Sequence, residues 1–178
     1  MLEVKTKYTK ESLIKFHRFH LYGRGARGVF FISFLILIST GALSHIYWAF
    51  STGEVEPQFL FNACFAVALV CVFALIPRFL AKSAMKKDQA LNITGYDYVM
   101  HDDCFTITTN GEMISGASEI KYTALSKVYE KRNYFYLYFQ QNRVFIIEKK
   151  HFTQGTPEEF ALILDKALPE KKFKKKKR

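Results

Sequence analysis

The chain has 178 residues, which leaves room for one modest soluble domain once two long apolar segments are set aside. A net charge of +10 favours an anionic partner, and the apolar segments turn that preference away from nucleic acid and toward a lipid surface. The three cysteines, Cys64, Cys71 and Cys104, form no disulfide framework and show no CxxC or CxxxH spacing, so a zinc site is disfavoured.

Residues 2–8 alternate, with Leu2, Val4, Thr6 and Tyr8 on one face and Glu3, Lys5 and Lys7 on the other, a period of two that predicts a strand. Thr9 is placed to cap a helix starting at Lys10, whose face of Leu13, Ile14, His17 and Leu21 is apolar to aromatic. This opening is polar and charged, unlike a secretory signal, so the mature chain is expected to begin at Met1 or Leu2. Residues 1–27 therefore read as an N-terminal strand and amphipathic helix.

Residues 28–50 and 58–81 are two apolar runs. The first has no charged residue, and the second has none before Arg78. At about 1.5 Å rise per residue, each is long enough to cross a hydrocarbon core of roughly 30 Å. Residues 28–81 are thus expected to be a transmembrane hairpin with a short outer loop at 51–57. That loop carries Glu54 and Glu56 and no cation, whereas seven Lys or Arg residues precede Gly28, and Arg78, Lys82, Lys86 and Lys87 follow the second run. The positive-inside bias places both termini in the cytoplasm. Thr40, Gly41 and Ser44 on one helix and Ala63, Cys64, Ala68 and Cys71 on the other are expected to pack the hairpin closely, and such a surface would also permit a homodimer. His45 and Asn62 are the strongly polar groups within the runs. They read either as a ligand or relay site or, as the plainer account, as a bond across the hairpin.

Beyond Pro77 the second helix is expected to run on to about Asp88, within a continuation at 82–91. Arg78, Lys82 and Lys86 fall at i, i+4 and i+8, a stripe that suits lipid headgroups and equally suits ordinary anchoring. From Asn92 the pattern turns to strands. Asn110-Gly111 predicts a type I′ hairpin turn, with residues 112–115 pairing back. Further strands are expected at 126–131, 134–139 and 143–148, with Gln140-Gln141-Asn142 as a tight turn. Thr156 and Pro157 start a last helix, whose face of Phe160, Ile163, Leu164, Ala167 and Leu168 is apolar. The fold class is therefore a membrane α-helical hairpin plus a small α+β cytoplasmic domain, residues 92–170, with an antiparallel sheet closed by a C-terminal helix.

In the strand at 134–139, Phe135, Leu137 and Phe139 point one way and Tyr134, Tyr136 and Tyr138 the other. The tyrosines are a candidate partner face, against the plainer reading that another element covers them. Residues 171–178 are expected to be a disordered polybasic tail, in which Lys174, Lys175, Lys176 and Lys177 are candidate headgroup ligands alongside Arg78, Lys82 and Lys86.

Three stretches carry a family resemblance. The opening Tyr8-Thr9-Lys10-Glu11 with Phe16 and His20-Leu21 precedes the hairpin. The run from Glu119-Ile120-Lys121-Tyr122 through Val128-Tyr129-Glu130 leads into Tyr134-Phe135-Tyr136-Leu137-Tyr138. Val144-Phe145-Ile146-Ile147-Glu148 then leads into Lys149-Lys150-His151-Phe152. In this order the chain resembles the YcxB-like family of bacterial membrane proteins, with Tyr122 where tryptophan is common and Glu148 where proline is. The resemblance implies a pleckstrin-homology-like domain and residence in the bacterial cytoplasmic (inner) membrane, and it carries over no catalytic residues.

His17 and His20 have a chelating separation but lack a third ligand, and His101-Asp102-Asp103 reads as a polar turn rather than an acid–base site. No nucleophile with a paired base, P-loop or dinucleotide turn occurs, so no cofactor or metal is expected. The functional expectation is a non-enzymatic, membrane-anchored binding or regulatory module with a protein partner. The alternatives are a module responsive to anionic lipid, or an immunity-type membrane protein that neutralises a toxin.

Overall fold

The computed structural model describes residues 1–23, 26–53, 57–112, 115–139 and 143–175. Glu54 and Glu56, the expected turn at 140–142, and Lys176 and Lys177 lie outside them. In chain order the elements are β1 (Leu2–Thr6), α1 (Lys10–Tyr22), α2 (Ala26–Thr52), α3 (Pro57–Ala90), β2 (Ile93–Met100), β3 (Cys104–Gly111) and β4 (Gly116–Lys121). They continue with β5 (Leu125–Glu130), β6 (Tyr134–Phe139), β7 (Arg143–Glu148), β8 (Phe152–Gln154), α4 (Pro157–Ala167) and β9 (Phe173–Lys174). The chain divides into two compact units, one of Met1–Ser12 with Met85–Arg178 and one of Leu13–Ala84. The division falls inside α1 and near the end of α3, not at residues 27 and 92, because β1 pairs with strands that come much later in the chain.

The first unit holds two sheets, in the orders β4-β3-β2-β1-β8 and β7-β6-β5-β9. Leu2, Val4 and Thr6 of β1 are buried and register with Met100, Tyr98 and Tyr96 of β2, while Glu3 and Lys5 alternate outward. The core draws Val4, Met100 and Phe105 from the first sheet and Val128, Phe135, Leu137 and Ile147 from the second. Helix α4 adds Phe160 and Leu164, and Leu168 follows at its C-cap. Its start is fixed as the sequence suggests. Thr156 Oγ1 accepts from the Glu159 amide, the Glu159 carboxylate accepts from the Thr156 amide, and Pro157 opens the helix. Gly155, just ahead of the cap, has φ +76°, and a Cβ there would collide with the Leu2 side chain, so both backbone and space require glycine.

Two expectations change. Asn110-Gly111 is not a turn, and neither residue has positive φ. Both extend β3, with Asn110 opposite Gly95 and Gly111 opposite Ile93. The ladder with β2 claims them: Asn110 Nδ2 donates to Asp97 at 2.8 Å and Thr94 Oγ1 donates to the Asn110 carbonyl at 2.9 Å. The return strand therefore begins at Gly116, opposite Thr109, and not at Glu112. The basic tail is also ordered through Lys175. Phe173 enters the core at 5% exposure, and β9 pairs in parallel with β5, Val128 opposite Phe173. An aromatic ring next to a hydrophobic seat outweighs the preference of its lysine neighbours for solvent.

The second unit is helical. Segments Gly28–Thr52 and Phe61–Ala90 are long and apolar enough to cross a membrane. Among the described side chains only Gly28 of the first and Pro77 and Ala81 of the second are buried, unlike the core helix of a soluble protein. Of the expected small-residue seam, Ala63 is half-buried and Gly41 lines a recess beside His45 and Asn62, while Cys64, Ala68 and Cys71 are exposed. Thr40, Gly41 and Ser44 are exposed, and the Thr40 and Ser44 hydroxyls bond back to their own helix. The shielded positions are instead Phe31, Phe34, Ile38, Ala42 and His45 on α2 and Asn62, Ala66, Leu69, Phe73 and Ile76 on α3, spaced three and four apart. Asn62 Nδ2 and His45 Nε2 lie 3.4 Å apart across this seam, the plainer of the two readings. Phe73 stands edge-on to Phe31 at 5.1 Å, and Tyr22 stacks on Phe31 at 4.4 Å.

Pro77 lies inside α3 and cannot donate to the Phe73 carbonyl one turn earlier. Tyr22 Oη fills that place, donating to the Phe73 carbonyl at 2.6 Å. The orphan acceptor made by the proline is thereby satisfied from α1, and the helix runs on unbroken.

Candidate functional site

The two-sheet unit carries an open cleft of about 610 Å³. It lies where β4, the edge of one sheet, and β7, the edge of the other, leave the core uncovered. Ile107, Ile120, Val144 and Phe145 supply apolar surface, and Thr109 and Ser118 add hydroxyls. Lys87, Asp88 and Arg143 bring charge to it.

One wall is a tyrosine network. Just past α3, Asn92 adopts φ +48° and its amide bonds to the Gln89 carbonyl, reversing the chain into β2 so that Tyr96 comes back beside Asp88. Tyr96 Oη donates to Asp88 Oδ1 at 3.4 Å. Tyr8, just beyond β1, stacks on Tyr96 with ring centroids 4.6 Å apart and shares a hydrogen bond of 2.9 Å with Tyr98 Oη. The Ile146 amide of β7 donates to Tyr8 Oη at 3.4 Å, so this hydroxyl bridges the two sheets.

Burial is the first cause of raised phenol pKa values at all three tyrosines, with the neighbouring Asp88 charge second at Tyr96. At neutral pH they are therefore neutral hydroxyls, suited to donate and accept hydrogen bonds and not to act as phenolate nucleophiles. On the other side of the Tyr8–Tyr96 pair is a smaller recess of about 110 Å³, reached by Lys7 and Gln89.

The residues singled out from the sequence fall elsewhere. Tyr134, Tyr136 and Tyr138 are buried, at 7%, 2% and 2% exposure, on the face of β6 away from the core. Tyr134 and Tyr136 stack at 5.9 Å, and Tyr129 meets Tyr138 edge-on. The tyrosine row is thus a covered layer and not an open partner face, as expected of a central strand apolar on both sides. Arg78, Lys82 and Lys86 are exposed on α3, with Arg78 reaching back to the Ala74 carbonyl at 3.2 Å. Lys174 is exposed in β9, and Lys175 pairs with Asp165 at 2.7 Å.

His17 and His20 pack around Phe16, and no cluster able to hold a metal occurs among the described residues. His101-Asp102-Asp103 is the β2–β3 turn, closed by the His101 amide on the Cys104 carbonyl. A further polar cluster joins β7 to β8: buried Glu148 lies 3.2 Å from Lys150 Nζ and 3.4 Å from His151 Nδ1, and Thr6 Oγ1 bonds the same imidazole nitrogen at 3.1 Å.

The cleft residues escaped sequence reasoning because they are scattered, with Tyr8, Asp88, Tyr96, Ser118 and Arg143 sharing no local pattern. The usable signal was Tyr8, the last member of the opening alternation, which stands beyond the end of β1.

Residues 105–164 match the family model described as YcxB-like protein. This span runs from β3 into α4 and contains the aromatic and apolar strands on which the resemblance rested, while the opening Tyr8–Leu21 stretch lies outside it. It supplies Ile107, Ile120, Arg143 and Phe145 to the cleft, and the tyrosine wall comes from outside it. No curated protein and no solved structure matches the chain.

Proposed function

We propose that the chain is a membrane-anchored, non-enzymatic binding or regulatory module. Its helical hairpin crosses the bacterial cytoplasmic membrane twice, and both termini lie in the cytoplasm. A pleckstrin-homology-like domain made of the two sheets and α4 presents its cleft there to a protein or small-molecule ligand. The observation that carries this reading is the cleft of about 610 Å³, which has the size of a ligand pocket and a mixed lining, with the apolar Ile107, Ile120, Val144 and Phe145 beside several converging polar and charged groups. Lys87 and Arg143 favour a ligand bearing an anionic group, and the neutral phenols beside them can orient it. Two apolar, unburied helices support the anchoring, and the cations flanking them support the orientation.

Topology is tested in a background with Cys64, Cys71 and Cys104 replaced by serine. Glu54→Cys is expected to react with an impermeant maleimide in intact cells and Lys174→Cys is not, and the reverse pattern overturns the orientation. Binding is tested with a photocrosslinking residue at Ser118 in the cleft and, as control, at exposed Leu162 on α4. Crosslinks specific to position 118 that disappear with Arg143→Glu are expected. Identical products from both positions overturn the cleft as the site.

The second reading, a module responsive to anionic lipid, is favoured by the exposure of Arg78, Lys82 and Lys86 where α3 leaves its uncharged run.

A further inference from the structure

The C-terminal segment sits in its place in an unusual way. Strand β5 is hydrogen-bonded on one side by β6. On its other side it is met by β9, only two residues long, and this is the single parallel pairing in the described sheets. The Val128 amide donates to the Lys172 carbonyl at 2.8 Å, and the Phe173 ring drops into the same buried cluster as Val128, Leu164 and Leu168. Lys172 Nζ reaches the Thr123 carbonyl at 3.1 Å, and Lys175 reaches Asp165 on α4. A short extended segment with one aromatic anchor, added to a strand edge beside a helix, is the geometry by which folded domains bind peptides through strand addition. Here the chain supplies its own peptide.

The seat satisfies the ring and the backbone but not the charge. Of Lys171, Lys172, Lys174 and Lys175, only Lys175 meets a carboxylate among the described residues, and that pair is half exposed, with both side chains near 50% accessibility. Such a pair holds little in water and less in salt. An anionic lipid surface offers the lysines what the seat lacks, and Phe173 can bury in the headgroup region of a bilayer as it buries here. The two environments therefore compete for one segment.

We propose that residues 171–175 form a displaceable strap: seated on the β5 edge beside α4 in one state, and drawn off onto an anionic lipid surface in the other, which exposes the β5 edge and the Phe173 socket. The strap rests on the membrane-anchored reading above, since only then is a bilayer always within reach. From Pro169 to Lys175 an extended chain spans about 20 Å at roughly 3.3 Å per residue, which sets how near the lipid surface must come for the exchange.

The test uses the full chain in nanodiscs of phosphatidylcholine alone and of phosphatidylcholine mixed with phosphatidylserine in equal parts, with amide hydrogen exchange as readout. On neutral discs the Val128 amide is expected to be protected. On anionic discs its protection is lost and then regained at high salt, while the amide of Leu137 in central β6 stays protected throughout. Phe173→Ala is expected to lose Val128 protection on both discs, and Lys171→Glu combined with Lys174→Glu is expected to keep it on both. Equal protection of wild-type Val128 on the two discs, loss on both, or loss that salt does not reverse each overturns the strap. Failure of the chain to enter nanodiscs at all overturns the anchoring reading instead, so the two failures are distinct.

Discussion

Phenylalanine does different work in the two units. In the two-sheet unit Phe105, Phe135 and Phe160 are completely shielded, with Phe160 meeting Tyr122, Phe135 and Phe152. In the helical unit Phe61, Phe65 and Phe79 are 69%, 57% and 73% exposed. The contrast teaches that one side-chain type is used in two ways: the sheets exclude water by surrounding the ring with protein, and the two long helices turn the ring outward. In the hairpin, specificity rests instead on the few shielded polar contacts, such as Tyr22 with the Phe73 carbonyl and Asn62 with His45. In the sheets it rests on the close fit of the core.

The largest effect that would break this comparison is its direct test. Phe160→Ala is expected to destabilise the two-sheet unit by about 3–5 kcal/mol, as for a deeply buried ring, and Phe65→Ala to change the stability of the micelle-bound chain by no more than about 0.5 kcal/mol. Equal costs, measured by denaturation in detergent, would mean that Phe65 is buried after all.

Next in size is Tyr22→Phe. It strands the Phe73 carbonyl that Pro77 left without a donor, at an expected cost of about 1–3 kcal/mol. Pro77→Ala restores an amide donor, so the tyrosine substitution should cost clearly less in that background. An unchanged cost in the double-mutant cycle would show that the phenol acts only through ring packing.

Thr156→Ala removes half of the capping box of α4 and should cost about 1 kcal/mol in thermal unfolding, with Thr156→Ser close to wild type.

The smallest effect at neutral pH is also the most specific to the cleft. Tyr8, Tyr96 and Tyr98 hold their protons more tightly when folded than at the ordinary phenol value of 10.0. Their contribution is therefore fully present below pH 10 and is lost as pH rises beyond it, because the unfolded chain gives up these protons first. This contribution should be flat through neutrality and fall above pH 10, with a shallower fall in stability there for Tyr98→Phe. A slope unaffected by that substitution would place the alkaline transition elsewhere.

Several local physical rules carried through from sequence to structure. The alternation of Leu2, Val4 and Thr6 became β1, Thr9 Oγ1 accepts from the Ser12 amide at the head of α1, and Thr156-Pro157-Glu159 opens α4. The misses share a cause in distant partners. Asn110-Gly111 has the composition of a turn, but the ladder with β2 holds it extended. Phe173 is surrounded by lysines, and only the seat beside Val128 makes it a core residue. β8 is three residues long, too short for any period to register. The cleft is the extreme case, since Tyr8 and Arg143 stand near opposite ends of the chain, and neither has a neighbour in sequence that marks it.

The position of β1 also sets a timetable. It is flanked by β2 and β8, with Leu2 opposite Met100 and Val4 opposite Phe152, yet it is made before both and before the two long helices that separate it from them. At about 5–20 residues per second, on the order of 5–20 s of synthesis separates β1 from its first partner, and the whole hairpin is translated in that interval. An unpaired apolar strand must be kept from other partners for that time. Closure of the first sheet is thus a late event of biogenesis, unable to start until both long helices have been synthesised.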